Sequence, residues 1–160
     1  MHSTKNDLPE ALRISVVKLL NQALAELIDL QLQAKQAHWN VKGPNFIALH
    51  DLFDAVVADA AGFADSVAER IAALGGQAEG NIGAVARRTA LPAYPVEITA
   101  GRDHVDALST SMAVVGKSVR SMIDLATELG DANTADLFTE VSRGLDKKLW
   151  FVESHLHGNS

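Results

Sequence analysis

Apolar residues recur every three or four positions along four long stretches of this 160-residue chain, and the breaks between stretches are rich in glycine or proline. That spacing puts an apolar stripe on each of four helices, and such stripes must be buried against one another. In the first stretch Leu12, Val16, Leu19, Leu20, Ala23, Leu27 and Leu30 share a face, and Pro9 and Glu10 suit a first turn. The pattern runs to about Trp39 and breaks at Val41-Lys-Gly-Pro-Asn45. A second helix is expected from near Asn45, with Leu49, Leu52, Phe53, Val56, Ala60, Phe63, Val67, Ile71 and Leu74, ending at Gly75-Gly76. Residues 77–98 hold glycines, two prolines and the only tyrosine, Tyr94, and read as a long connection with a short helix over Ile82–Arg88. A third helix is expected from about Thr99 to Leu129, then a loop and N-cap over Gly130–Thr134. A fourth carries Leu137, Val141, Leu145, Leu149 and Val152.

The expected fold is therefore all-α. It is a four-helix bundle of two antiparallel hairpins, with a long crossover between helices two and three that carries a short extra helix. Residues 9–157 form one domain, between an N-terminal tail (1–8) and a C-terminal tail (158–160).

Composition narrows the chemistry. With no cysteine there is no disulfide framework, thiolate metal site or cysteine nucleophile. Fourteen Lys and Arg against 20 Asp and Glu give a net charge of −6, which argues against strong non-specific DNA binding. The N-terminus lacks the apolar core of a signal peptide, and no stretch is apolar enough to span a membrane. The expected compartment is the cytoplasm, with nucleoid association left open.

The second helix carries His50, Asp54, Asp65 and Glu69. His50 and Asp54 lie one turn apart, as do Asp65 and Glu69, and all four fall within an arc of roughly 100°. His38, just before the intervening loop, can approach His50. Imidazole with carboxylate suits iron, manganese or zinc. The two pairs, however, are centred about 22 Å apart along one helix, so a single metal cannot reach both. Two antiparallel copies related by a two-fold near Asp59–Ala60 would set His50 and Asp54 of one chain beside Asp65 and Glu69 of the other. Two equivalent sites would result. Ala55, Ala58, Ala60, Ala61, Gly62 and Ala64 would let the helices approach closely. A solvated helix face, or salt bridges to Arg70 or to lysines, is the competing reading of these residues.

Ala37-His-Trp-Asn40, Gly43-Pro44, His50-xxx-Asp54, Asp65-xxx-Glu69-Arg70 and Leu74-Gly-Gly76 together resemble the Dps family, the DNA-binding proteins from starved cells. Tyr94-Pro95, Asp131-xx-Thr-Ala-Asp136 and Leu145-Asp-Lys-Lys-Leu-Trp-Phe151 extend the resemblance over nearly the whole chain. The Glu-x-x-His pairs of true ferritins are missing. The resemblance implies a ferritin-like bundle in a twelve-subunit shell. At its two-folds, ferroxidase sites would oxidise Fe(II), preferentially with hydrogen peroxide, for storage as ferric mineral, protecting DNA and cell from oxidative damage. His38, His50 and Asp54 would come from one chain and Asp65 and Glu69 from its partner, with zinc or manganese as substitutes for iron.

Several further roles follow from the same resemblance. Trp39 would be a site-adjacent sink for stray oxidising equivalents, with a core aromatic as the alternative, and Trp150 reads as packing. Asp136 would line a three-fold pore that admits iron, with Asp131 and Glu140 as weaker candidates and N-capping as the alternative for Asp131. Asp51 would face the cavity or solvent. Arg70 and Asp146 would form an intersubunit salt bridge. His104 reads as an ordinary helix-start histidine, and His155 and His157 as part of a frayed end. The first ten residues hold one lysine and the last ten no Lys or Arg, so DNA binding is expected to be weak or absent. The alternative function is a DNA-compacting nucleoid protein with secondary iron chemistry.

Overall fold

The computed structural model describes residues 1–157. It contains α1 (Glu10–Asn40), α2 (Phe46–Ala73), α3 (Ile82–Arg88), α4 (Gly101–Leu129) and α5 (Ala132–Glu153), with no strand among the described residues. The expected four long helices and the short helix in the crossover are all present. The expected tail 158–160 lies outside the described residues. No described helix is long and apolar enough to cross a membrane.

α1 packs most extensively on α2 and α4 on α5, and α1 against α4 joins the two hairpins. Phe53, Phe138, Leu20, Leu27, Leu30, Ile71, Leu108 and Met112 fill the interior. Two helix ends deviate slightly from the expected positions. Pro9 is extended, with ψ at 139°, so it precedes α1 instead of opening it. α4 starts two residues late because Thr99 and Ala100 are paired with the first loop, where the Lys42 amide donates to the Thr99 carbonyl at 2.9 Å.

Glycine ends α2 and α4 in the same way. Gly75 (φ +78°) and Gly130 (φ +86°) take the left-handed conformation that a β-carbon disfavours. Each stop carries the paired bonds of a Schellman motif. Gly75 N–H donates to Ala72 O and Gly76 N–H to Ile71 O; Gly130 N–H donates to Thr127 O and Asp131 N–H to Ala126 O. The segment before α1 runs back over the first stop. The His2 amide bonds Gly75 O at 2.6 Å, and Arg13 reaches Leu74 O at 2.9 Å.

The crossover is held by polar side chains of α1 that face inward. Asn21 accepts from the Glu79 amide and donates to Gln77 O, Gln22 donates to Arg88 O, and Gln33 donates to Pro92 O. Buried backbone groups of an irregular segment need such partners.

Asp131 is 2% exposed and caps α5 by accepting from the Thr134 amide at 3.1 Å and its hydroxyl at 2.6 Å. The Arg70 guanidinium donates to both its oxygens, at 2.9 and 3.0 Å. A carboxylate so enclosed offers nothing to a passing cation, so the structure replaces the expected pore-lining role of Asp131 with the capping one. Arg70 is thereby engaged within the chain, and Asp146 pairs with Arg120 at 2.8 Å, so an Arg70–Asp146 pair between subunits would have to displace these partners. Asp131 carries the N-cap geometry that Arg70 can reach across the hairpin ends; Asp146 lies four turns further along α5.

Two predictions follow from this packing. A β-carbon at Gly76 would sit 2.7 and 2.8 Å from the Val17 methyls and 2.9 Å from Ile71 Cγ2. Gly76→Ala should therefore cost about 1–3 kcal/mol in denaturant unfolding. Burial raises the Asp131 carboxyl's pKa, but its bonds from Thr134 and Arg70 outweigh this and hold it below the ordinary carboxylate value. Its contribution to stability is complete above the unfolded pKa, near about 4, and is lost as pH falls through the lower folded value. Asp131→Asn should cost about 1–3 kcal/mol at neutral pH, and the difference from wild type should fade in strong acid.

Candidate metal centre

The antiparallel packing of α1 on α2 brings His38 against His50 beside the loop that joins the helices, with Asp54 one turn further along α2. The two imidazoles stack with centroids 3.7 Å apart. Each ring is anchored by the other residue's backbone. His38 Nδ1 lies 2.8 Å from His50 O, and His50 Nδ1 lies 2.9 Å from His38 O. A carbonyl oxygen only accepts, so each Nδ1 carries a hydrogen, and in the neutral ring Nε2 is the nitrogen left with a lone pair. A carbonyl behind a histidine is the usual device for orienting a metal ligand. Phe46, one turn before His50, packs on its ring at 5.1 Å.

Asp54 adds the carboxylate. In this protomer it holds a cation already, the Lys35 ammonium, at 2.5 Å. That hydrogen bond draws the Asp54 carboxyl below the usual carboxylate range. Partial loss of hydration opposes the shift, and the charge of Lys35 adds to it, as do the two imidazoles when protonated. Lys35 was absent from the expected site, yet the helix register held the signal. Partners across an antiparallel pair keep a constant sum of residue numbers, so a register that faces 38 with 50 faces 35 with 54 to within one residue.

Asp65 and Glu69 are exposed on the same side of α2, nearer its C-terminal end. Between Asp54 and Asp65 that side is lined by exposed Ala58 and Gly62. Among the described residues no three His, Asp or Glu side chains of one protomer converge as a metal cluster. One chain thus presents two histidines with one carboxylate, and separately a pair of carboxylates.

Other expected residues fall as follows. Asp136 and Glu140 are exposed on α5 and share a shallow groove with Glu69 and Arg70. Asp51 is exposed. Trp39 is 67% exposed, so its core reading does not hold within the protomer, and Trp150 is 65% exposed with only its edge on Phe151. His155 lines a groove with Lys42 and Arg102, and His157 is exposed. His104 differs most from its expected role: it is 1% exposed and hydrogen-bonded to Tyr94. Burial of a helix-start histidine depends on a partner ten residues back in an irregular segment, which local pattern does not reveal.

The chain matches the ferritin-like domain over residues 17–158. It is 48% identical over 159 residues to the DNA protection during starvation protein of Agrobacterium fabrum, covering 99% of this chain and 98% of that one. Among solved structures, Mycobacterium smegmatis Dps superposes with a TM-score of 0.93 at 35% identity, over 100% of this chain and 91% of the other. Dps from Microbacterium arborescens in a high iron form superposes with a TM-score of 0.87 at 35% identity, over 94% and 97%. By this match in sequence and in fold, the chain belongs to the ferritin-like family and, within it, to the Dps proteins.

Proposed function

We propose that this protein oxidises Fe(II) at sites shared between two chains and stores the ferric product inside a twelve-subunit shell, with hydrogen peroxide as the preferred oxidant. The observation that carries this reading is the reciprocal anchoring of His38 and His50, each Nδ1 on the other residue's carbonyl, with Asp54 one turn after His50 on α2. Fe(II) is the substrate. Imidazole and carboxylate bind it without thiolate, which peroxide would destroy. Two histidines and one carboxylate do not complete a site for a pair of iron ions. The exposed Asp65 and Glu69 of a second chain, brought across a two-fold, supply the remaining oxygens. Two neighbouring Fe(II) each give one electron to a peroxide molecule, which takes up two protons from water and becomes two water molecules without releasing hydroxyl radical.

Asp136, exposed near the N-terminal end of α5, is assigned to the entry path, where carboxylates raise the local concentration of cations. Zinc and manganese accept the same ligands and should compete with iron. The net charge of −6 supports weak or no retention of DNA, which separates this reading from a DNA-compacting role. A low-salt gel-shift should leave duplex DNA unretarded; tight retention would favour the compacting role.

The principal test adds Fe(II) anaerobically, then peroxide, and follows ferric formation and peroxide consumed per iron. Wild type should react fast, and a variant combining His38→Ala with Asp65→Ala should be slower by about 10²-fold or more. Equal rates would sink the site assignment. Sharing between chains has its own test. Chains carrying His50→Ala and chains carrying Asp65→Ala with Glu69→Ala should each be slow alone. Refolded together, they should recover activity at about a quarter of the sites, because half the interfaces are mixed and each mixed interface holds one intact site. No recovery on mixing would place the whole site in one chain.

A further inference from the structure

Glu26 is a carboxyl in the middle of α1 that the ferroxidase reading does not use. It is 1% exposed, at the seam where α1 meets α4 and the crossover. Its Oε1 accepts from the Gln22 amide at 2.7 Å, and its Oε2 is buried without a hydrogen bond of good geometry. The same Gln22 nitrogen donates at 2.8 Å to the carbonyl of Arg88, the last residue of α3. A carbonyl in the last turn of a helix has no partner within that helix. One amide group with two hydrogens thus ties a buried carboxyl to the end of the crossover's short helix.

No cation answers this carboxyl. On α1, Asp29 accepts from Thr89 and Gln33; in the crossover, Arg88 pairs with Glu79. On α4, Arg120 pairs with Asp146, and on α2, Asp59 pairs with Lys148. Arg87 and Lys117 are exposed. Burial acts first on Glu26 and pushes its pKa up, opposed by the hydrogen bonds of Gln22 and the Ser118 hydroxyl on α4. A buried carboxylate is stable when two or three good donors surround it, and here Gln22 is the one of good geometry. The protonated form suits the site. Oε1 accepts from Gln22, and the proton belongs on Oε2, with the Ser118 oxygen in reach. For packing alone, an apolar side chain would fill the seam without an orphaned oxygen.

We propose that Glu26, Gln22 and the end of α3 form a proton-operated latch on the crossover. With Glu26 protonated the latch is closed, and α3 is clamped through Gln22 to the seam between α1 and α4. When the proton leaves to solvent, the carboxylate draws in water, the Gln22 bridge gives way and the end of α3 is freed.

The direction of the response follows from the two forms. In the open form Glu26 titrates near its ordinary value of 4.5, and in the closed form above it. Closure is therefore fully favoured below that value and weakens as pH rises, until Glu26 ionises in the closed form as well. The Asp131 cap responds in the opposite sense, so acid loosens the start of α5 while it tightens the crossover.

The test is hydrogen exchange of the iron-free, assembled protein, read by mass spectrometry from about pH 5 to about pH 9 and corrected for intrinsic exchange. The amides of Val85 and Thr89, which bond within and just after α3, report on the latch. Their protection should fall by about tenfold per pH unit and level off where the closed form ionises. In Glu26→Gln, which keeps the shape and has no proton to lose, protection should stay flat. Gln22→Ala should leave α3 weakly protected at every pH. Ser118→Ala keeps both latch residues and removes one bond that holds the Glu26 pKa down, so the fall should extend to higher pH. Flat protection in wild type, or the same slope in Glu26→Gln, would overturn the proposal. A loss confined to α1 and α4 would also overturn it, since a buried acid would then act without reaching the crossover. If Glu26→Gln does not assemble, Ser118→Ala decides, and an unshifted fall sinks the latch.

Discussion

The register between α1 and α2 governs the rest of this molecule. Two helices of 31 and 28 residues, joined by five residues, can only fold back on one another, and the stripes that bury Leu20, Leu27, Leu30, Phe53 and Ile71 fix how far each slides along the other. That offset decides that His38 meets His50 and that Lys35 meets Asp54. Because each imidazole is held by the backbone of the other helix, the ligand geometry is as stiff as the spacing of the helices themselves. Core packing and the placement of the candidate ligands are thus fixed by one contact.

The same helix has an inner and an outer side with different tasks. Inward, α2 carries Phe53, Val56, Ala60, Val67 and Ile71. Outward, its exposed residues run from Asp54 through Ala58 and Gly62 to Asp65 and Glu69. His50 with Glu69, and Asp54 with Asp65, are both centred between residues 59 and 60. This symmetry about one point has no use inside a protomer, whereas a dyad placed there would make it meaningful. The proposed sharing of sites therefore draws on a pattern already present in one chain.

Much of the fold was legible in the sequence because its signals are local: apolar spacing, glycine after the last turn of α2 and α4, and the short helix over Ile82–Arg88. The pairing of His50 with Asp54 and of Asp65 with Glu69 on one side of α2 was legible for the same reason, since residues four apart on a helix must share a face. What escaped depends on contacts distant in the chain. Asp131 could line a pore or cap a helix by sequence alone, and Arg70 arriving from 61 positions away decides it. Trp39 and Trp150 resembled core residues by type, yet both stand in solvent on the protomer, because the bundle interior is already filled by aliphatic side chains and Phe53 and Phe138. His104 became notable only once the crossover had placed Tyr94 over it.

The crossover is a long connection with little core of its own, and it is tied mainly to one helix. Asn21, Gln22, Asp29 and Gln33, spread over more than three turns of α1, each bond a residue between Gln77 and Pro92. These inward-facing polar residues leave α1 less amphipathic than a surface helix needs to be, and they make it the element against which every other part is measured. In cooperative terms the connection belongs with the first hairpin. If α4 and α5 were to swing away as a unit, the crossover would stay behind on α1, held by that ladder, and the hinge would fall not at its middle but at its far end, between Tyr94 and the start of α4.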